Sequence, residues 1–242
     1  MDINSELLAL QREWERQVVE PFMVRNDPAH LSRPYCMGLS EEYLASDRRI
    51  MIVGQETKGW GTYTDDWPAP MIQSWSIGYL RRQLWGIGAD EYNRSPFWRL
   101  FRLLDRAGLV PCWNNIDKLQ RPIDGKTVRL TREQETQLCC RYGEEQQSLI
   151  EREIALCRPD VILFATGPQY CYPMACSFGV EEGELWRYRP TKERLLVDVT
   201  AVLGLHVPAF WTYHPAYLSR KGQLLAVTER LIEQAEKIPY PS

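Results

Sequence analysis

Four short apolar segments, separated by stretches with helical periodicity, constrain the fold of this chain more than any other feature. They are RIMIVG (49–54), VPCWNNIDKL (110–119), RPDVILFATG (158–167) and VPAFWTYHP (207–215). Apolar runs of this length that stop at a glycine or a polar residue are typical of parallel strands, which are buried on both faces. Strands that alternate with helices predict right-handed crossovers over one sheet. We therefore expect an α/β fold, a three-layer sandwich with a central four-stranded parallel sheet.

The intervals between these segments carry mostly helical patterns. Apolar residues at helical spacing predict an amphipathic helix over residues 1–20, ended by Pro21, and a closing helix that begins near residue 224. Ser95 is a candidate N-cap for a helix that precedes the second strand. Glycines, prolines and tryptophans predict a long ordered loop over residues 55–75. Residues 120–143 are predicted to be weakly structured.

The size and composition of the chain fit one globular domain. Its 242 residues are enough for one large core and few for two, so we expect a single unit over residues 1–242. Residues 1–47 form an N-terminal helix and lead-in in this interpretation, and residues 48–225 form the motif-bearing core. Hydrophobic residues at 44% and charged residues at 25% exclude a disordered chain.

Neither a membrane span nor a signal peptide is evident in the sequence. No apolar run approaches the roughly 18 residues that a span requires, and the N-terminus lacks a basic start followed by an apolar stretch. The expected compartment is therefore the cytoplasm, without a membrane partner. Seven cysteines form no CxxC pair, which predicts reduced thiols, and the adjacent Cys139 and Cys140 are assigned no role.

Polar residues follow each predicted strand where the strand ends. They are Gln55 and Glu56, Asn114 and Asn115, Thr166 and Gly167, and His214 and Pro215. Because ligands bind at the carboxyl ends of parallel strands, we expect one site at this edge of the sheet. The sequence GQETKGWG matches neither a Walker loop nor a dinucleotide-binding loop, and Glu56 would repel a phosphate. No metal or other cofactor is predicted, since no second histidine or cysteine lies at ligand spacing from His214.

The net charge of −3 does not by itself indicate a nucleic-acid-binding protein, because affinity for the phosphate backbone comes from lysine and arginine. A local basic face is the more relevant property. Basic clusters occur at Arg48-Arg49, Arg81-Arg82, Lys118 with Arg121, and Arg220-Lys221. Taken one at a time, each cluster is more typical of solvated surface charge.

Four motifs in order resemble the uracil-DNA glycosylase superfamily over residues 48–225. They read IMIVGQE, WNNIDKL, RPDVILFATG and TYHPAYLSRKG. In that superfamily a GQDPYH- or GEAPG-type motif ends the first strand, an asparagine ends the second, and an HPSPLS-like motif completes the site. Each string is short and common, but four in this order are more specific. The resemblance implies the uracil-DNA glycosylase-like fold, single- or double-stranded DNA as partner, and excision of uracil or another modified or deaminated base in DNA repair.

The resemblance also implies roles for individual residues. Gln55 and Glu56 match the residues that meet the base and polarise the hydrolytic water, and Glu56 stands where many members have the catalytic aspartate. Asn115 matches the asparagine that reads the pyrimidine edge, a role that Asn114 would take if the strand register differed by one. His214 matches the histidine that donates to the base carbonyl. A carboxylate near the sugar and a donor near the base stabilise the charges that develop when an N-glycosidic bond breaks.

DNA contacts follow from the same match. Leu218 corresponds to an apolar wedge that enters the base stack, while Ser219, Arg220 and Lys221 would lie near phosphates, with Lys118 as a further candidate. A flipped base also needs an aromatic surface. Rings in the loop after the first strand would provide it, unless they only pack that loop: Trp60, Tyr63 and Trp67.

The sequence departs from the superfamily at three points. Thr57 and Lys58 replace the usual proline after the acidic residue, and Glu56 is one methylene longer than aspartate. Leu119 stands where the iron-sulfur class has a cysteine, so no cluster is predicted. These departures and the acidic net charge leave two alternatives open. One is a non-catalytic module that binds a base, a nucleotide or a partner protein, and the other is an enzyme acting on a free nucleoside or nucleotide.

Overall fold

The chain alternates helices and strands along most of its length. The computed structural model describes residues 2–26, 31–56, 68–86, 93–123 and 126–238, without the side chains of 122–123 and 126–127. Its helices are α1 (Ile3–Trp14), α2 (Glu20–Met23), α3 (Glu41–Leu44), α4 (Ala69–Trp85), α5 (Pro96–Arg106), α6 (Arg132–Leu138), α7 (Leu149–Cys157), α8 (Cys171–Phe178), α9 (Glu182–Trp186), α10 (Pro215–Arg220) and α11 (Leu224–Glu236). Its strands are β1 (Arg49–Glu56), β2 (Val110–Asp117), β3 (Arg121–Ile123), β4 (Lys126–Val128), β5 (Val161–Phe164), β6 (Leu196–Asp198) and β7 (Ala209–Thr212).

The central sheet has five strands in the order β2-β1-β5-β7-β6. The four apolar segments of the sequence form its four parallel strands, β1, β2, β5 and β7, and β6 adds an antiparallel strand beside β7. In β1 the residues Ile50–Val53 are fully buried, as expected for strands covered on both faces. The α/β class is therefore confirmed and fits a three-layer sandwich, whereas the predicted count of four strands is wrong.

Helix α4 begins inside the segment predicted to be a loop. Its apolar periodicity is weak because polar side chains also lie on its buried face. Gln73 donates to the carbonyl oxygen of Met37 at 3.1 Å, and Ser76 donates to that of Cys36 at 3.1 Å. Hydrogen bonds of this kind allow polar groups to be buried, so a pattern based on hydrophobicity misses them.

Two other segments differ from expectation. Pro21 does not end the N-terminal helical region, because a π-helical stretch (Glu15–Val19) leads into α2 and Pro21 lies in the first turn of that helix. Residues 120–143 contain the β3–β4 hairpin and α6, which begins with a capping box between Thr131 and Gln134. Among the described helices, none combines the length and the apolar character needed to cross a bilayer.

The N-terminal region contributes to the core. Helix α1 packs against α7, and Trp14 and Phe22 are buried in an apolar cluster with Leu119, Leu138 and Leu149. This cluster is separate from the larger one that surrounds the sheet. The described part of residues 1–47 therefore covers one side of the segment that follows β2.

Candidate functional site

The carboxyl edge of the sheet opens into a cleft of about 580 Å³. Four residues that the sequence predicted for the site line this cleft together: Gln55 and Glu56 from β1, Asn115 from β2, and His214 after β7. The remaining lining residues are mostly aromatic and come from α4, from α5 and the residues just before it, and from β2: Trp75, Tyr79, Asn93, Ser95, Phe97, Trp98 and Trp113. Polar groups from three strands thus converge in a cleft with an aromatic wall.

A close approach at Gly54 positions Asn115. The two residues are register partners in β1 and β2. A Cβ at position 54 would lie 2.6 Å from Oδ1 of Asn115 and 3.2 Å from the ring of Phe97. Only glycine leaves room for the amide at this depth.

The amide of Asn115 has a defined orientation. Its Oδ1 accepts a hydrogen bond from Nε1 of Trp113 at 3.1 Å, and an indole nitrogen can only donate. Its buried Nδ2 has no hydrogen-bond partner among the described residues. Buried donors normally have a partner, because an unsatisfied one costs about 1–3 kcal/mol. Asn115 therefore lines the cleft with one N–H donor unused.

His214 also presents a donor. It is the N-cap of α10, and its Nδ1 accepts a hydrogen bond from the backbone N–H of Ala216 at 3.2 Å. Burial, with a smaller contribution from the charge of Arg220, lowers the pKa of His214 to about 4. The imidazole is therefore neutral at pH 7 and carries its proton on Nε2. Its ring lies parallel to that of Phe97, with centroids 6.0 Å apart and an interplanar angle of 9°.

Glu56 is held by a tyrosine that the sequence interpretation did not include. The hydroxyl of Tyr170 donates to Oε2 of Glu56. Burial and then the charge of Glu56 raise the pKa of Tyr170, so the phenol keeps its proton and remains a donor. The guanidinium of Arg129 packs over the Tyr170 ring, 4.4 Å from its centroid.

A second carboxyl group lies beside Glu56 in the sheet. Asp117 is the register partner of Glu56 and is buried, with its Oδ1 accepting a hydrogen bond from the Cys139 thiol at 3.6 Å. Burial, followed by the charge of Glu135, raises the pKa of Asp117 well above its usual value. The raised pKa favours the neutral form of Asp117, which adds no negative charge next to Glu56. Its position two residues after Asn115, on the same face of β2, was the sequence signal that could have drawn attention to it.

Gln55 is fixed from the other side of the cleft. Its Nε2 donates to the carbonyl oxygen of Thr166 at 2.7 Å, in the turn that follows β5. The strand ends of β1 and β5 are thereby tied together. The carbonyl of Gln55 remains the part of this amide suited to accept from a ligand.

Asn114 and Lys118 lie away from the cleft. Asn114 points to the opposite face of the sheet, where its Nδ2 donates to Glu153 at 2.9 Å and its Oδ1 accepts from Lys118. Lys118 is buried and forms an ion pair with Glu153 at 2.7 Å. The strand register therefore favours Asn115 over Asn114, and the predicted DNA contact of Lys118 does not fit its buried position.

The predicted DNA-contacting residues after His214 have mixed positions. Leu218 is only 1% exposed and packs in the main core, so its side chain is not positioned as a surface wedge. Ser219 is partly exposed, and Arg220 and Lys221 are exposed at the end of α10. The aromatic candidates Trp60, Tyr63 and Trp67 lie outside the described residues.

The aromatic wall was missed because its residues have the spacing of ordinary core positions. Trp75 and Tyr79 are stacked, with centroids 4.7 Å apart and an interplanar angle of 9°. Both belong to α4, which the sequence pattern did not predict over residues 69–75. Phe97 lies in the first turn of α5, where the N-cap and proline signals were clear but gave no indication of a ligand.

Comparisons with known proteins give no family assignment. No protein-family model matches the sequence, and no curated protein matches it significantly.

Proposed function

We propose that this protein is a DNA glycosylase that hydrolyses the N-glycosidic bond of a flipped uracil or another deaminated base. The observation that carries the proposal is the pair of donors in one cleft with a carboxylate: Nδ2 of Asn115 and Nε2 of neutral His214, together with Glu56. The order of the strand-end motifs, which resembles the uracil-DNA glycosylase superfamily, supports the same reaction class. The proposal needs no metal and no other cofactor.

The orientation of Asn115 favours a base with an oxygen where the normal base has an amino group. Because Trp113 occupies Oδ1, the amide offers Nδ2–H to the ligand. A donor of this kind pairs with the carbonyl that deamination creates and leaves an exocyclic amine without an acceptor. A site built around a buried polar group can reject the wrong partner strongly, because the group is then left unpaired.

The two remaining groups would act on the charges of the transition state. The departing base becomes anionic, and Nε2–H of His214 would donate to its carbonyl oxygen without carrying a charge of its own. The sugar becomes cationic, and Glu56, held by Tyr170, would stabilise it and orient the attacking water. Phe97 offers an aromatic face beside His214 for the extruded base.

The test is a single-turnover assay for alkali-labile sites in single- and double-stranded oligonucleotides that contain uracil or other deaminated bases. Glu56→Gln and His214→Ala should each lower the rate about 100-fold or more, since loss of a group that stabilises charge in the transition state costs about 2.7–4 kcal/mol. Glu229→Gln, at an exposed position of α11, is the matched control and should behave like the wild type. Wild-type protein that produces no such sites from any deaminated base would refute the proposal.

One observation favours a second candidate, a module that binds a base without cleaving it. Oε2 of Glu56 already accepts from Tyr170, which reduces the capacity of this carboxylate to activate water. Such a module would bind a uracil-containing oligonucleotide more tightly than the same oligonucleotide with thymine, and would leave both intact. Binding without product in the assay above would select this candidate.

A further inference from the structure

A segment outside the candidate site reaches the same edge of the sheet. Residues 186–194 precede β6, which runs antiparallel to β7 with Leu196 opposite Thr212. The hydroxyl of Thr212 donates to the carbonyl oxygen of Leu195 at 2.7 Å. Because β7 ends at Thr212 and His214 follows two residues later, the segment arrives beside the cleft.

This segment is basic and aromatic, in contrast to the chain as a whole. It reads WRYRPTKER and holds four cationic side chains against one carboxylate, in a protein of net charge −3. Trp186 is 43% exposed and Tyr188 is 40% exposed. Such large aromatic side chains on the surface are candidates for binding.

Arg189 organises the exposed tryptophan. Its guanidinium carbon lies 4.6 Å from the centroid of the Trp186 ring, and its Nη1 donates to the carbonyl oxygen of Trp186 at 3.0 Å. The indole is therefore held in one orientation by contacts on one side. An ordered aromatic ring with adjacent arginines is the arrangement on which unpaired bases stack.

Two tyrosines lie on either side of His214 in the sequence, near the end of this segment. Tyr213 directly precedes His214 and Tyr217 follows it by three residues, and their rings are stacked with centroids 4.4 Å apart and an interplanar angle of 25°. Tyr213 follows Thr212, whose hydroxyl donates to the carbonyl oxygen of Leu195 directly after this segment. We define residues Trp186–Arg194 with Tyr213 and Tyr217 as the aromatic-basic surface.

We propose that the aromatic-basic surface binds single-stranded DNA next to the nucleotide in the cleft. The inference rests on the proposed function, because the cleft supplies the reason for DNA to be present. Arginine and lysine would contact phosphates, and the exposed rings would stack on bases. Bases of a closed duplex are already stacked on one another, so exposed rings favour the single strand.

The test measures binding of a fluorescein-labelled 15-mer of thymidine by anisotropy between 50 and 200 mM salt. This oligonucleotide contains no excisable base, so binding is measured independently of glycosylase activity. Trp186→Ala should weaken binding about fivefold or more, as expected for loss of one stacked base, and Trp186→Phe should restore most of it. The double variant Arg187→Ala/Lys192→Ala should reduce the slope of log K against log salt by about 1.4, at roughly 0.7 per phosphate contact.

The control removes the same charges elsewhere. Arg106→Ala/Lys237→Ala eliminates one arginine and one lysine at exposed positions, at the ends of α5 and α11, and should leave both affinity and slope unchanged. A wild-type protein that does not bind the 15-mer, or binds 15-mer uridine RNA or duplex DNA more tightly, would overturn the proposal. So would unchanged binding in the Trp186→Ala and double variants.

The outcomes separate the two proposals. If the wild type excises deaminated bases while the variants bind the 15-mer normally, the aromatic-basic surface is refuted and the glycosylase stands. If the 15-mer binds through these residues and no base is excised, the surface stands and the glycosylase is refuted.

Discussion

Gly54 is the residue on which the geometry of the cleft depends most directly. It has no Cβ, so Asn115 and Phe97 can approach the backbone of β1 from the neighbouring elements. The missing Cβ thus allows both the amide of Asn115 and the ring of Phe97 to take their positions in the site. The effect is local, because it involves only Gly54 and these two side chains.

We expect Gly54→Ala to fold but to lose the site. The added Cβ would lie 2.6 Å from Oδ1 of Asn115, so the amide must move and Nδ2 with it. Stability should fall by about 1–3 kcal/mol, as for other overpacked core positions. Glycosylase activity should fall about tenfold or more, because one ligand hydrogen bond worth at least about 1.4 kcal/mol is misaligned.

The control is a glycine with free space around it. At Gly78, on the exposed face of α4, a Cβ would meet nothing within 4 Å. Gly78→Ala should raise the free energy of unfolding by about 0.5–1 kcal/mol and leave activity unchanged. Urea denaturation and the excision assay measure both effects, and full activity in Gly54→Ala would contradict the role assigned to Asn115.

Site residues at the carboxyl end of a strand were predictable from the sequence. Gln55, Glu56, Asn115 and His214 follow strand ends, and those ends meet at one edge in any parallel sheet. Partners from distant segments were not predictable. Tyr170 lies 114 residues from Glu56, and no local pattern connects the two.

At the scale of elements, apolar runs identified the four parallel strands of the sheet. Strand β6 has only three residues, so its pattern is too short to distinguish from a loop. Helix α4 was hidden by its buried polar residues. The sequence placed Leu218 at the DNA through the resemblance and Lys118 through its charge, but neither signal could reveal that both side chains are buried.

Lys118 instead joins two elements. It lies just after β2 and forms a buried ion pair with Glu153 of α7, with Asn114 bonded to both. Breaking a buried pair leaves one charge without compensation, whereas removing both charges does not. The pair therefore links the site-bearing strand to the helix that covers the other face of the sheet.

We expect Lys118→Met and Glu153→Leu to lower the free energy of unfolding by about 3–5 kcal/mol each. The double variant should be more stable than either single variant, since no unpaired charge remains. Urea denaturation of the four proteins gives the coupling energy. Additive losses of stability in the double variant would show that the two charges do not act as a pair. A changed salt dependence of DNA binding in Lys118→Met would show that Lys118 contacts DNA after all.

At the scale of the whole molecule, the N-terminal region and the motif-bearing core share buried surface. Trp14 is 1% exposed and packs with residues that follow β2 and begin α7. Large aromatic side chains at such positions contribute strongly to stability. The lead-in is therefore expected to unfold together with the sheet.

Trp14→Ala should lower the free energy of unfolding by about 3–5 kcal/mol, as is typical of tryptophan truncation in a core. Unfolding of the wild type and of Trp14→Ala should be followed by far-UV circular dichroism and by tryptophan fluorescence. In each protein the two signals should change in the same transition. An early loss of helical signal, with the fluorescence transition unchanged, would indicate that the N-terminal helices unfold separately.

The short antiparallel strand β6 has a consequence for how molecules of this protein meet one another. A sheet edge exposes backbone groups to which a strand of another chain can pair, and long flat edges promote aggregation. β6 offers only three residues, one of them the exposed Asp198, and a charged residue on a short edge strand opposes such pairing. On the opposite edge, the hydroxyl of Tyr35 donates to the carbonyl oxygen of Trp113 in β2 at 2.8 Å. Both edges of the sheet thus favour hydrogen bonding within one molecule over pairing with the sheet of another molecule.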